Sequence, residues 1–142
     1  MRKILFLAVA IFSVGFLTSC GETKSSTTGN TTTTTSEIVG AVTHVGVTEF
    51  KNLLSQNAGE LIGVRTPKEN QAGEIPGTQH NIDVRSKLFK EEMAKLDKEK
   101  TYLVYCRSGR RSGQAVKIME SMGFKHIYNF KDGYLGWKQA GN

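Results

Sequence analysis

The segment "TYLVYCRSGRRSGQAVKIMESMGF", Thr101–Phe124, contains the pattern that decides the fold. Its first five residues form a short and almost continuously apolar run, which is typical of a central parallel strand covered on both faces. From Arg110 onward, apolar residues recur at helical spacing, and the pattern ends before Gly123, a residue type that commonly terminates helices. A strand followed within a few residues by a helix predicts an α/β unit.

The same alternation continues on both sides of this segment. Predicted strands cover Ala41–Val45, Glu60–Val64, Thr78–Ile82, Thr101–Tyr105 and His126–Asn129. Predicted helices cover Thr48–Gln56, Pro67–Gln71, Leu88–Leu96, Arg110–Met122 and Tyr134–Gln139. Strands that alternate with helices in this way predict one α/β domain of about a hundred residues.

The N-terminus has the features of an export signal. A basic "MRK" precedes the apolar run Ile4–Leu17, which is shorter than the ~20 residues of a membrane span but suits a signal-peptide core. The run ends in "LTSC", which resembles a bacterial lipobox, a signal in which the cysteine is acylated and becomes the first mature residue. We therefore expect residues 1–19 to be a signal peptide and Cys20 to be the lipidation site. The alternative is an ordinary secretory peptide cut near Ser19.

The next segment, "GETKSSTTGNTTTTTS", contains no residue that could seed a core. We expect residues 20–36 to be a lipidated cysteine with a disordered tether, and residues 37–142 to be the folded domain. The expected location is that of an exported lipoprotein, membrane-anchored and facing the periplasm or extracytoplasmic space.

Charge and cysteine usage exclude several kinds of partner. The net charge of +6 falls by two, to +4, when Arg2 and Lys3 leave with the signal, and no long basic run remains. Nucleic acid is therefore not expected as a partner, whereas local anion binding is. If Cys20 carries lipid, Cys106 is the one free thiol of the mature chain, and no disulfide can form.

The loop Cys106–Arg111 carries the chemistry. Cys106 follows the central strand, and ligands bind at the carboxyl ends of strands in open α/β sheets. Small Ser108 and Gly109 allow several main-chain amides to converge at the start of the next helix, where they would stabilise a thiolate. The same amides, together with the guanidiniums of Arg107, Arg110 and Arg111, would also hold a tetrahedral oxyanion. The competing interpretation is an inert buried cysteine beside solvated arginines, although arginine at a helix N-terminus opposes the dipole.

Three ordered motifs resemble one family. "VYCRSGRRSGQAVKIMESMGF" resembles the active-site segment of single-domain rhodaneses, which are thiosulfate sulfurtransferases. "LIGVRTPKENQAGEIPGTQHNIDV" resembles the N-terminal signature of that family, and "NFKDGYLGWKQAG" resembles its closing segment. The similarity extends from about Ile38 to Gly141.

The resemblance implies a five-stranded parallel sheet with helices on both faces, and Cys106 as the catalytic nucleophile. Cys106 would take sulfur from thiosulfate, or a similar donor, as a persulfide and pass it to a thiol or cyanide. The expected substrate-binding residues are Arg107, Ser108, Gly109, Arg110, Arg111 and Arg65, although Arg65 is open to a purely structural role. No organic cofactor is expected, and the scattered His44, His80 and His126 match no metal-ligand spacing. We expect a monomer.

The sequence departs from the family at two positions. Gly63 stands where the family usually has aspartate, and Glu74 where it usually has histidine. An aspartate at the first position would anchor polar groups under the loop, so Gly63→Asp is expected to improve sulfur transfer. Alternatively, another group such as Glu74 or a water already fills that role, or the backbone at Gly63 does not accept aspartate.

Two other functions stay open. A persulfide carrier or redox-sensing module would use the same cysteine without turnover. A cysteine phosphatase or arsenate reductase would need an arginine six residues after the cysteine, where this chain has Ser112 with Arg111 one position earlier. The spacing favours sulfur transfer over phosphoryl chemistry.

Overall fold

The structure is a computed structural model that describes residues 41–142. The predicted signal peptide, the Cys20 lipidation site and the tether lie outside the described residues, and they stay predictions.

Strands and helices alternate along the described chain. The five strands are β1 (Val42–Val45), β2 (Glu60–Gly63), β3 (Thr78–Asn81), β4 (Thr101–Tyr105) and β5 (His126–Phe130). The five helices are α1 (Val47–Ser55), α2 (Pro67–Gln71), α3 (Phe89–Met93), α4 (Arg110–Ser121) and α5 (Gly133–Gln139). Within residues 41–142, no helix combines the length and the apolar character needed to cross a membrane.

All ten predicted elements are present, and one is clearly shorter than predicted. Helix α3 ends at Met93, whereas the sequence pattern predicted helix as far as Leu96. Beyond Met93 the main chain closes tighter turns, because the amides of Lys95 and Leu96 donate to carbonyls three residues back, at 3.2 and 3.0 Å. The charged residues after Met93 lie exposed; these are Lys95, Asp97, Lys98, Glu99 and Lys100.

The strands form one sheet in the order β1-β5-β4-β2-β3, and every neighbouring pair is parallel. Strand β4 lies between β5 and β2 and is buried along nearly its whole length. This confirms the predicted five-stranded parallel sheet with the "TYLVY" strand near its centre.

Side chains of β4 alternate between two cores. Tyr102 and Val104 belong to a core that includes residues of α3 and α4, whereas Leu103 and Tyr105 belong to one that includes Phe50 of α1. Tyr134 and Trp137 of α5 pack against this second core. Helices therefore cover both faces of the sheet, as predicted, and Cys106 continues the face covered by α4.

Gly63, the last residue of β2, has no room for a side chain. A Cβ atom there would lie 2.7 Å from Asn81 Oδ1 and 3.2 Å from the Tyr105 hydroxyl. The Asn81 amide is fixed in this place because it donates to the Arg65 carbonyl (2.9 Å) and accepts from the Arg65 amide (3.3 Å). Asn81 thus anchors the chain after β2, while the Glu74 carboxylate accepts from Asn70 instead. Because an aspartate does not fit at Gly63, we no longer expect Gly63→Asp to improve sulfur transfer.

We predict that Gly63→Asp destabilises the domain by about 1–3 kcal/mol, because it overfills the space beside Asn81 and places a carboxylate in a buried position. Gly113 in α4 is the matched control, since a Cβ there meets its nearest neighbour, Asn129 Nδ2, only at 4.0 Å. Gly113→Ala should stabilise the helix by about 1 kcal/mol. Thermal unfolding followed by circular dichroism measures both changes, and an unchanged Tm for Gly63→Asp would contradict the packing argument.

Candidate active site

Two glycines allow the loop after β4 to approach the turn before α5. Gly109 has φ +82°, and a Cβ there would lie 2.6 Å from the carbonyl carbon of Lys131. Gly133 has φ +60°, and its Cβ would lie 2.7 Å from the Ser108 nitrogen. Any larger residue at either position would be strained and would push the two segments apart.

Amides at the start of helix α5 bind carbonyl groups of the loop. The amide of Tyr134 donates to the Cys106 carbonyl at 2.8 Å, and the amide of Leu135 donates to the Arg107 carbonyl at 2.9 Å. These amides lie in the first turn of α5, where no helical partner is available. Because the loop carbonyls are bound on this side, the loop amides are left for the cysteine sulfur.

Those amides change the acidity of the thiol. Burial raises the pKa of Cys106, whose exposed fraction is 1%, but hydrogen bonds to the sulfur outweigh this effect. The donors are the main-chain and side-chain groups of Ser112 and the amides of Ser108 and Arg111. The net result is a pKa below the ordinary value of a cysteine thiol, which favours the reactive thiolate.

Ser112 is a functional residue that the sequence reasoning missed. It is fully buried in the first turn of α4, and its Oγ lies 2.9 Å from the Gly109 carbonyl. Its single hydroxyl proton can serve either that carbonyl or the Cys106 sulfur. An ionised sulfur is the stronger acceptor, and the Gly109 carbonyl keeps a bond from the Gly113 amide at 3.0 Å. We therefore expect the Ser112 hydroxyl to donate to the sulfur when Cys106 ionises.

A pocket of about 450 Å³ opens beside the loop. It is lined by Thr66, Glu69, Arg85, Arg107, Ser108, Arg110, Arg111 and Gln114. Four arginines against one carboxylate make it a site for anions. Cys106 itself does not line the pocket, but two lining residues, Ser108 and Arg111, are among those whose amides lower the pKa of its thiol. A ligand must therefore extend a narrow group past the loop to reach the sulfur.

Arg111 is held by an ion pair. Its two terminal nitrogens donate to the two oxygens of Glu69, both at 2.6 Å, in a bidentate pair. This hydrogen bonding lowers the pKa of Glu69 to about 2, against the opposing effect of burial and with help from Thr66. Glu69 and Thr66 also form the capping box that starts α2. The guanidinium of Arg111 is thus positioned by α2, and its charge is matched by Glu69, although three of its five N–H donors remain.

The structure does not bring Arg65 to the pocket. Its side chain is buried, with an exposed fraction of 4%, and donates to the carbonyls of Gly73 (2.6 Å) and Glu69 (2.8 Å). The guanidinium also lies over the Tyr134 ring, 4.3 Å from its centroid. These contacts tie the α2 region to α5, and they favour the structural role that the sequence left open. Of the other predicted residues, four line the pocket, namely Arg107, Ser108, Arg110 and Arg111, whereas Cys106 and Gly109 do not.

Arg85 is the second residue that the sequence reasoning missed. It belongs to a "Val-Arg" pair after β3 and lies four positions beyond Asn81, whereas Arg65, in the pair after β2, lies two positions beyond Gly63. The recurrence of a Val-Arg pair after two neighbouring strands is the sequence feature that could have pointed to Arg85. The side chain is exposed and lines the pocket.

Comparison with known proteins identifies relatives. The family model described as Rhodanese-like domain matches residues 46–140. A thiosulfate sulfurtransferase of Escherichia coli is 40% identical over 74 residues, which are 51% of this chain and 68% of that protein. A human thiosulfate:glutathione sulfurtransferase is 32% identical over 114 residues, covering 70% of this chain and 96% of that protein. The solved human single-domain sulfurtransferase aligns with a TM-score of 0.58 at 26% identity, covering 70% of this chain and 97% of that one.

We predict that Ser112→Ala raises the pKa of Cys106, because one hydrogen bond to the thiolate is lost while the amide bonds stay. The midpoint of the Cys106 titration, followed by the ultraviolet absorbance of the thiolate, should move to higher pH. Ser121→Ala is the matched control, since Ser121 Oγ makes the same bond to a carbonyl three residues back, Ile118 O at 2.7 Å, on the exposed end of α4. Identical titration curves for the two variants would remove Ser112 from the site.

Proposed function

The chain belongs to the family of rhodanese-like domains, and we propose that it transfers sulfane sulfur from thiosulfate, or a similar donor, to a thiol or cyanide. The observation that carries the proposal is a cysteine whose pKa is lowered by loop hydrogen bonds, next to a pocket lined by four arginines. One chain supplies all of these groups, so the proposed active form is a monomer. No organic cofactor or metal enters the proposed reaction.

The reaction has two steps. The Cys106 thiolate attacks the outer sulfur of thiosulfate, a new sulfur–sulfur bond forms, and the old one breaks with its electron pair on the departing sulfite. The enzyme then carries a persulfide anion, which the Ser108, Arg111 and Ser112 donors stabilise as they do the thiolate. A thiolate or cyanide takes the outer sulfur and returns the Cys106 thiolate. Charge is balanced in both steps without any redox partner.

Two features favour sulfur transfer over phosphoryl or arsenate chemistry. The position six residues after Cys106, where a cysteine phosphatase has its essential arginine, is Ser112, and the charge of the neighbouring Arg111 is already paired with Glu69. The burial of Cys106 also suits a donor that presents one terminal sulfur atom, and the bulkier oxygens can then stay in the pocket.

We predict that Cys106→Ser abolishes formation of thiocyanate from thiosulfate and cyanide, because serine cannot form the persulfide. Cys20→Ala is the matched control, since it removes the other cysteine of the chain and should keep full turnover. Mass spectrometry after thiosulfate alone should find one added sulfur atom, on Cys106. Substantial turnover by Cys106→Ser would contradict the assignment of Cys106 as the nucleophile. A wild type that loads one sulfur atom without turnover would favour the persulfide carrier.

We also propose that the chain is a lipoprotein anchored through Cys20 on the extracytoplasmic side of a membrane. The support is the lipobox-like "LTSC" after a basic and apolar N-terminus, followed by a polar segment. In a bacterial host, Cys20→Ala should leave the membrane fraction or stay unprocessed, while Cys106→Ser should fractionate like the wild type. Equal membrane association of all three proteins after salt washing, with Cys20→Ala cleaved like the wild type, would count against the anchor.

A further inference from the structure

We propose that Arg85 is a substrate-binding residue that makes this site selective for sulfur donors whose leaving group is an oxyanion. The inference rests on the proposed function and concerns which donors the site accepts. It starts from the difference between Arg85 and Arg111, two arginines that line the same pocket.

The charge of Arg111 is already matched inside the protein. Glu69 binds both terminal nitrogens of Arg111, so the carboxylate positions the guanidinium and neutralises its charge. Ion pairs among residues 41–142 otherwise join Glu60 to His80 and to Lys100, and Glu60 and Lys100 lie at the amino ends of β2 and β4, whereas the loop follows the carboxyl end of β4. Within that part of the chain, the Arg85 guanidinium has neither a carboxylate partner nor a hydrogen-bond acceptor, so its donors are available to a ligand.

The main chain holds Arg85 in place although its side chain is exposed. The Arg85 amide donates to Asp83 Oδ1 at 3.0 Å, and the Ser86 amide donates to the Asp83 carbonyl at 2.9 Å. The Leu88 amide donates to Ser86 Oγ at 3.1 Å, and the next residue, Phe89, is buried in the core. The segment between β3 and α3 is therefore an ordered turn that presents Arg85 to the pocket.

Arg85 approaches the ligand from a different wall than the other arginines. Arg107 and Arg110 come from the loop and helix after β4, whereas Arg85 comes from the turn after β3, two strands away in the sheet. Guanidinium groups on two walls can clamp the oxygens of one tetrahedral anion between them.

The position of the charge in the reaction gives the selectivity. As Cys106 bonds to the outer sulfur of thiosulfate, the three oxygens remain in the pocket, and their negative charge grows as the sulfite leaves. An arginine aimed at those oxygens lowers the barrier for an oxyanion leaving group. A persulfide of an uncharged thiol, such as 2-mercaptoethanol persulfide, carries no oxyanion into the pocket, so Arg85 contributes nothing to its reaction.

The test compares two donors on the full chain. Arg85→Ala should lower kcat/KM for thiosulfate roughly tenfold or more, the factor expected from losing a hydrogen bond to a charged group. Loading of Cys106 by 2-mercaptoethanol persulfide should change less than about twofold. Arg85→Lys keeps the charge but loses the planar guanidinium that binds two oxygens at once. Its kcat/KM for thiosulfate should lie between the values of the wild type and Arg85→Ala.

Lys87→Ala is the matched control, because it removes an exposed cation two residues away that does not line the pocket. It should lower kcat/KM for thiosulfate less than about twofold. Equal losses with both donors, or equal losses in Arg85→Ala and Lys87→Ala, would overturn the inference and leave the proposed function intact. A wild type that takes sulfur from neither donor overturns the proposed function and the inference together.

Discussion

The site depends on the contact between the loop after β4 and the first turn of α5. Two hydrogen bonds make this contact, from the amides of Tyr134 and Leu135 to the carbonyls of Cys106 and Arg107. The donors are groups that a helix leaves unpaired at its start, so satisfying them costs the fold nothing elsewhere. Because the contact fixes the loop by its carbonyls, the amides of the loop converge on the sulfur. The sheet order makes this possible, since β5, which leads into α5, lies beside β4.

Glu69 connects the N-terminal motif to this loop. Its carboxylate caps α2 together with Thr66 and binds Arg111, while its carbonyl accepts from the buried Arg65. The pKa of Glu69, held at about 2 chiefly by Arg111, keeps the carboxylate ionised at every pH at which the enzyme would work. One residue thus joins the helix start, the buried arginine and the loop. The positive charge left for a ligand belongs to the arginines that Glu69 does not bind.

Sequence patterns predicted the strands and helices because these depend on short-range periodicity. The apolar run "TYLVY" and the helical spacing of Ala115 and Met119 are visible within one segment, and both of these helix residues lie in the core. The contacts that tune the site join residues far apart in the chain. Glu69 and Arg111 are separated by 42 positions, and no local pattern shows that they pair. Ser112 was missed for another reason, since a serine in a first helical turn ordinarily faces water.

The neutral amide of Asn81 has a consequence for the charge of the site. At the end of β2, beside Gly63, it makes the main-chain bonds that anchor this strand end, a role that the family resemblance gave to an aspartate. An amide supplies both a donor and an acceptor, whereas a carboxylate supplies acceptors only. In the proposed reaction, a dianionic donor and the Cys106 thiolate meet at this edge of the sheet. Asn81 anchors the strand end without adding a negative charge there, which leaves the positive field of the arginines undiminished.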